Sequence, residues 1–562
     1  MGNLNTESLF DEVLREIAPE LEQYSNYDLL IGIPFHNEVE ALPLILQSVD
    51  QVLQSWIGRR QLIVCVGDNS GQAVMDSIKK LELKHPHIEF LLPREISGRG
   101  MSIRAIIEIS ARLDADLLVF SANMATERGP GIDGAWLESL LTPIQGHYDL
   151  VLGSLRRHLG IDSIAHMLAA PVLEAFYGSR VGDPLGGTYA ISHDFCEELA
   201  HEARFWGDNI RGYGVDFWLL TRALCWGKSI CEVNMGGVIK PHSLETRNRI
   251  FYDNLGTIFE ALRRDSAIWL QDRLVIKVAD ILARSEVKQP DFESYSFPDL
   301  WQSFQEGCHK YRSLLHSCDH EKEIEKQLQL PPEKFHLSDE LWVSALFSLL
   351  LAYTFDEQAE RQEILAALTT LYNGRVASYV LEMRSFSEQL GFLTTREKDA
   401  ILVGKMDNIR QCLSNRFWLL KPELSRQWLH RREQVKPAII PLGYMEYVPG
   451  KPLVVPKKIL GKDQCLINTD CIFRELRKRY ENSFNAFLEQ GLAVDVNAPP
   501  PTIVAAVKDF MERLEQSLEE LFPGDLYNEQ GLEEFVEALF AVFPQHSMFT
   551  VGEDLLREML VR

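Results

Sequence analysis

Leu29 to Glu38 reads LLIGIPFHNE, an apolar run of strand length that ends in a polar cluster, PFHNE. Two further runs share this plan: Leu62 to Val66 (LIVCV) opens into GDNSG, Gly67 to Gly71, and Leu117 to Phe120 opens into SAN, Ser121 to Asn123. Before the last of these, Met101 to Leu113 carries Ile103, Ile106, Ile107, Ile109 and Leu113 at helical spacing. Strands alternating with a helix through short connections predict an α/β fold with a parallel sheet covered on both faces. Ligands of such sheets bind beyond the carboxyl ends of the strands, so PFHNE, GDNSG and SAN are expected to line one crevice.

A chain of 562 residues can bury a large core and divide into several domains. Its net charge of −24 speaks against a nucleic-acid or anionic-membrane binder, because either needs a basic footprint. The nine cysteines are scattered without a CxxC pair, as expected in a reducing cytosol. The start, MGNLNTESLFDEVLREI, lacks the basic and unbroken apolar regions of a secretory signal; Leu9, Phe10, Val13, Leu14 and Ile17 make it an amphipathic helix instead. Gly2 and Thr6 meet the loose myristoylation pattern, with nothing basic beside them to support it. Nowhere do about 18 apolar residues run together, so a cytoplasmic protein without a membrane span is expected.

The pattern changes after residue 255. Leu341 to Tyr353 and Val376 to Met383 place apolar residues at three- and four-residue steps, which predicts a helical domain over 256–436. Pro437 to Pro456 is rich in Pro, Gly and β-formers and heads an extended or β arm, 437–475. NAPPP, Asn497 to Pro501, precedes two amphipathic segments, Ile503 to Leu521 and Glu529 to Val542, in a helical tail over 476–562 that offers a homodimer contact. Residues 1–26 form the amino-terminal helix and 27–255 the α/β domain.

In chain order, PFHNE, GDNSG, SGRGMSIR (Ser97 to Arg104), the polar site after the third strand, DPLGGTYAIS (Asp183 to Ser192), GYGVDFW (Gly212 to Trp218) and a later His form a series. That series resembles the GT-A glycosyltransferases that make glucosylglycerate, mannosylglycerate or glucosyl-3-phosphoglycerate. The resemblance spans about residues 27 to 270, with weaker likeness at Phe251 to Leu262 and Leu371 to Arg384. It implies a Rossmann-like nucleotide-sugar domain, a UDP- or GDP-hexose donor, a small hydroxy-acid acceptor and retention of anomeric configuration.

On this resemblance Pro34, Phe35 and Glu38 face a ribose or base edge, although Glu38 would equally well charge the first turn of a helix. Asp68 and Asn69 offer an acceptor and an amide to a base, or make an ordinary Asp-Asn-Ser-Gly turn. Arg99, between Gly98 and Gly100 ahead of a helix, brings a guanidinium and backbone N–H groups to a diphosphate. The family's Asp-x-Asp is replaced by Ser121, Ala122 and Asn123. Related enzymes hold Mg or Mn with the second Asp and a distant His; Asn123 and His242 take those places, with Lys240 at the family spacing. Glu127 and Asp133, on an inserted loop, read first as solvated loop acids and only second as a substitute acid, whereas Asp114 and Asp116 precede their strand and are rejected.

Arg156, Arg157 and His158 follow the strand-like LVLGSL and suit the carboxylate or phosphate of a glycerate acceptor. Gly186 and Gly187 allow close backbone approach to sugar or acceptor, and Thr188 stands where a relative has an acid. Asp216, set among aromatic residues, needs a partner to be buried and is the chosen catalytic carboxylate. Cys308, His309, His316, Cys318 and His320 match no zinc-finger spacing. The sequence thus points to a hexosyltransferase acting on glycerate, 3-phosphoglycerate or a similar acceptor. The alternatives are a catalytically degenerate nucleotide-sugar binder and an assembly protein.

Overall fold

The computed structural model of the chain describes residues 2–54, 59–122, 124–126, 129–156, 164–203, 206–238, 243–271, 274–281, 295–316, 321–356, 360–434, 445–446, 454–459 and 462–468. The chain divides into two compact units, one of residues 1–259 and 272–426, the other of 260–271 and 427–562.

The first unit is built on an eight-stranded sheet. From one edge its strands are Ala279–Ile281, Ile230–Val238, Leu150–Arg156, Tyr189–Ile191, Asp116–Val119, Leu29–Phe35, Gln61–Gly67 and His87–Leu91. Every residue of Leu29–Phe35 and Gln61–Gly67 is buried, as continuous apolar runs require when both faces of a sheet are covered. Leu29 pairs with Gln61 on one side and with Asp116 on the other, both in parallel.

The sheet is mixed, which corrects the expected all-parallel arrangement. Tyr189–Ile191 runs antiparallel to both its neighbours, Asp116–Val119 and Leu150–Arg156. A segment this short has no periodicity that could betray its direction.

The strand order places the crevice. From Leu29–Phe35 the chain builds outward through Gln61–Gly67 to His87–Leu91, then returns to lay Asp116–Val119 on the opposite side of the first strand. The order reverses between Leu29–Phe35 and Asp116–Val119, and a cleft opens at the carboxyl ends of strands at such a switch point.

Helix Arg99–Leu113 is buried over most of its length and ends at Asp114, whose left-handed backbone (φ 53°) closes it. Asp116 lies at the amino end of its strand and is paired with Arg59 at 2.8 Å, while Asp133 caps helix Gly134–Gln145 by accepting the N–H of Ala135. The amino-terminal helix, Gly2–Leu21, buries Phe10 and Leu14.

Residue 255 falls inside a continuous helix, Leu244–Arg264. The helices Phe297–Lys310, Asp339–Phe355 and Arg361–Gln389 belong to the same unit as the sheet. Polar contacts cross large sequence distances within the unit: Trp342 Nε1 donates to the Met167 carbonyl at 3.1 Å, and Lys421 Nζ, on helix Thr395–Gln434, to the Ala175 carbonyl at 2.9 Å. Trp342 is fully buried and Trp301 nearly so. In the second unit the rings of Trp269 and Trp428 meet edge to face at 5.0 Å, and Met445–Glu446, Lys462–Asn468 and Val454–Ile459 form a three-stranded sheet. Ile503 to Leu521 and Glu529 to Val542 lie outside the described residues. No helix among the described residues is long and apolar enough to cross a membrane.

Candidate functional site

The loops after the first two strands are cross-linked. Asp68 N–H donates to the Phe35 carbonyl at 2.8 Å, Asn37 N–H to Ser70 Oγ at 2.9 Å, and Gly71 N–H to Asn37 Oδ1 at 2.8 Å. Asn37 and Asn69 both adopt left-handed backbone, which Asn tolerates because its side chain bonds locally. Glu38 accepts the N–H of His36, and the His36 ring lies 3.8 Å from the Asp68 carboxylate. Burial pushes the carboxyl groups of both Glu38 and Asp68 above their ordinary range; the N–H of Gly98 and the charge of His36 pull Asp68 partly back. Pro34 and Phe35 are buried in the strand itself, and Phe35 belongs to the hydrophobic core.

Gly98 joins this pair of loops to a third. Its φ of +145° suits glycine, and a Cβ there would stand 2.3 Å from the Arg211 carbonyl oxygen; one at Gly100 would stand 2.0 Å from that of Ile210. The start of helix Arg99–Leu113 is therefore pressed against the segment Ile210–Gly214, which leads straight into helix Val215–Cys225 and Asp216 in its first turn. Arg99 Nη1 donates to both oxygens of Asp216, at 3.1 and 3.0 Å, and Nη2 lies 3.4 Å from the Gly187 carbonyl. The side chains are only 17% and 12% exposed, so the partner that a buried Asp216 requires is Arg99 itself. Desolvation opposes the Arg99 charge, and the adjacent Asp216 outweighs it and raises the guanidinium further.

Gly187, at φ +68°, closes the ring of groups. A Cβ in its place would lie 2.9 Å from Arg99 Nη2 and 3.8 Å from Ser121 Oγ, which puts Ser121, Gly187 and Arg99 within one side chain's reach. Gly186 packs so closely that a Cβ would meet the Gly153 carbonyl at 2.5 Å. Thr188 and Ala122 face the other way: the Thr188 hydroxyl is buried against Met124 Sδ at 3.4 Å, and Ala122 belongs to the hydrophobic core. Arg156 ends its strand, pairing with Val238. Asn123, Arg157, His158, Lys240 and His242, and the side chain of Arg156, lie outside the described residues.

Three further residues of this cleft lie inside DPLGGTYAIS, GYGVDFW and Phe251 to Leu262, where nothing in the sequence singles them out. Tyr189, buried beside the Arg99–Asp216 pair, has a hydroxyl without a hydrogen-bond partner among the described residues; burial and the Asp216 charge push its pKa up. Tyr213 is raised by burial too and feels both Arg99 and Asp68. Asp253 accepts the Tyr213 N–H at 3.1 Å, and burial pushes its carboxyl up to about 6.

Glu7 of the amino-terminal helix accepts from Arg104 Nη1 and Nη2 at 2.8 and 2.7 Å and from Arg211 Nη2 at 3.3 Å. Arg104 sits on the helix that begins with Arg99, and Arg211 on the segment that leads to Asp216. One carboxylate thereby clamps both supports of the central ion pair.

Among the described residues no three His, Cys, Asp or Glu side chains converge as metal ligands. Two described arginines act on the cleft: Arg99 within it, and Arg249, whose charge reaches Asp68 and Tyr213.

No family model matches the chain. No curated protein matches it either. Among solved structures it is similar to a crystal structure of a mycobacterial protein, at 17% identity and a TM-score of 0.33, covering 45% of this chain and 79% of that one. It is similar also to Mycobacterium tuberculosis glucosyl-3-phosphoglycerate synthase, at 17% identity and a TM-score of 0.31, covering 45% of this chain and 85% of that one. A complex of that enzyme with Mn2+, UDP-glucose and phosphoglyceric acid matches at 16% identity and a TM-score of 0.30, covering 43% and 83%. At such scores the likeness does not define the fold, which rests on the strand order and contacts described above.

Proposed function

We propose that the chain is a GT-A glycosyltransferase that moves a hexose, glucose or mannose, from a UDP- or GDP-sugar to glycerate, 3-phosphoglycerate or a similar small hydroxy acid, with retention of configuration. The observation that carries this reading is the joining of Asp68, Gly98, Arg99, Asp216 and Gly187 at the carboxyl ends of the strands beside the switch point. Five residues from four separate segments meet where an α/β sheet binds its ligand.

The roles follow from the chemistry. Glu38 and Asp68, at the ends of adjacent strands, accept hydrogen bonds from a ribose or base. Arg99 offers the diphosphate a positive charge that Asp216 holds in one orientation, and Gly187 leaves the backbone open to the sugar. Arg156, Arg157 and His158 take the acceptor's carboxylate or phosphate. Rate enhancement comes from holding donor and acceptor together and stabilising the departing diphosphate. Asn123 and His242 are the residues we assign to an Mg or Mn ion; an amide and an imidazole bring it no negative charge, and no step here depends on it.

The test is calorimetric binding of UDP- and GDP-hexoses, with and without chelator, followed by a transfer assay with glycerate and 3-phosphoglycerate. Wild type is expected to bind one donor and transfer its sugar, and Asp216→Asn to lower kcat by about a hundredfold or more. Failure of every donor to bind would overturn the assignment. A second reading, a nucleotide-sugar binder without turnover, is favoured by the replacement of the family's acids with Ser121 and Asn123. Donor binding with wild type and Asp216→Asn equally inactive would establish it.

A further inference from the structure

Asn248, Arg249, Tyr252 and Asp253 of helix Leu244–Arg264 wall a cavity of about 590 Å³ together with helices Phe297–Lys310 and Arg361–Gln389. That volume lies within the roughly 300–1,000 Å³ range of small-molecule sites. Glu38, Asp68, Arg99, Ser121, Gly187 and Asp216 take no part in its lining. We propose that it is a second ligand site, for a small phosphorylated polyol.

The lining and what stands behind it argue for an anion. Arg249 and Lys310 contribute positive charge to the wall. Asn248 and Asn373, also in the wall, are the hydrogen-bond partners of Arg247 Nη2. Arg247 itself is 2% exposed, stacked on Tyr295 at 4.5 Å and Tyr372 at 5.2 Å, and its Nε and Nη1 have no hydrogen-bond partner among the described residues. Other arginines with buried guanidinium groups each face a carboxylate: Arg211 has Glu7, Arg222 has Glu202, Arg264 has Asp265 and Arg375 has Asp339. Arg247 has none among the described residues. A buried cation without a counter-charge is costly, and an anion held beside its amide partners would supply the missing charge.

Two acids line the cavity, and both are engaged. Glu306 is exposed and accepts from Gln302 at 2.8 Å, and Asp253 Oδ2 takes the N–H of Tyr213. Counting Arg247, cations outnumber acids. In the remaining polar lining Ser303 Oγ accepts from Asn373 Nδ2 at 2.9 Å, and the Thr369 and Thr370 hydroxyls donate to the Leu365 and Ala366 carbonyls, so the three hydroxyl oxygens keep lone pairs that suit the hydroxyls of a polyol better than an inorganic ion alone. The cavity adjoins the cleft, since Asp253 holds Tyr213 and the charge of Arg249 reaches Asp68, and the Asp216→Asn arm below distinguishes the two.

The experiment titrates the full chain with inorganic phosphate and with glycerol 3-phosphate at constant ionic strength, read by calorimetry and thermal midpoint. Saturable binding is expected, tighter for glycerol 3-phosphate. Arg249→Ala with Lys310→Ala, both at exposed positions, should weaken it about tenfold or more. Arg247→Met should abolish it while leaving the ligand-free midpoint no lower than wild type; a purely structural arginine would lower that midpoint. Asp216→Asn should bind as wild type does. Three results would each overturn the proposal: chloride reproducing the shift, the double variant binding unchanged, or Asp216→Asn removing the response and so placing the anion in the cleft.

Discussion

Replacing Glu7 by Gln tests whether the amino-terminal helix holds the cleft in register. Glu7 is 27% exposed, whereas its partners Arg104 and Arg211 are 1% and 11% exposed. Removing one member of a buried pair costs about 3–5 kcal/mol, because the other charge stays buried. Two features reduce that figure: Arg104 keeps Glu108 at 2.8 Å and Arg211 keeps Asp208 at 3.8 Å, and a quarter-exposed carboxylate is partly screened. A loss of about 2 kcal/mol is therefore expected. Arg211 is already held below its ordinary range by desolvation first and by the charge of Arg104, so without Glu7 the two guanidinium groups repel with less to oppose them.

The readouts are urea unfolding followed by tryptophan fluorescence, using the buried pair Trp206 and Trp218 whose rings lie 4.7 Å apart, and donor affinity by calorimetry. Stability and affinity should fall together, since Arg104 and Arg211 support the segments that carry Arg99 and Asp216. Adding Arg211→Met to Glu7→Gln should recover more than half of the lost stability by removing the repulsion. A stability change below about 0.5 kcal/mol with unaltered donor affinity would refute the clamp.

Asp253 should make stability fall as pH rises. Its carboxyl moves from an ordinary 3.8 to about 6 on folding, so between those values the folded state holds the extra proton. The roughly two-unit shift corresponds to about 3 kcal/mol that is present below pH 4 and lost as pH rises through 6. Asp253→Asn should accordingly stabilise the protein at pH 7 by up to that amount and have no effect at pH 4, checked by urea midpoints across the range; a pH-independent difference would contradict the linkage. Gly98→Ala should displace the Arg211 carbonyl from its 2.3 Å contact and strain φ, lowering donor affinity more than Gly404→Ala, an open helical position, in the same calorimetric assay. Asp216→Asn should leave Arg99 without its carboxylate and abolish turnover before it abolishes donor binding, measured as a kcat loss larger than the change in Kd.

The central strands were legible because burial on both faces demands unbroken apolar runs, and LLIGIPF and LIVCV can be little else. The loops after them could be named as a cleft because parallel strands joined through helices send their carboxyl ends to one side. Asp216 was legible as a carboxylate in need of a partner. That the partner would be Arg99 was not, since 117 positions separate the two and no local pattern joins them.

Thr188 shows the opposite case. Its place in DPLGGTYAIS suggests the cleft, but the left-handed turn at Gly187 and the short antiparallel strand that follows send its side chain to Met124 in the core.

By itself, the sequence determined the alternation of strands and helices, the buried faces and the polar strand ends, because these follow from hydrophobic periodicity and local backbone chemistry. Tertiary structure alone decided the antiparallel direction of Tyr189–Ile191, the Glu7 clamp, the Arg99–Asp216 pair and the cavity beside Arg247. Each depends on which distant segments share one volume, a matter of packing the whole chain that no local stretch encodes.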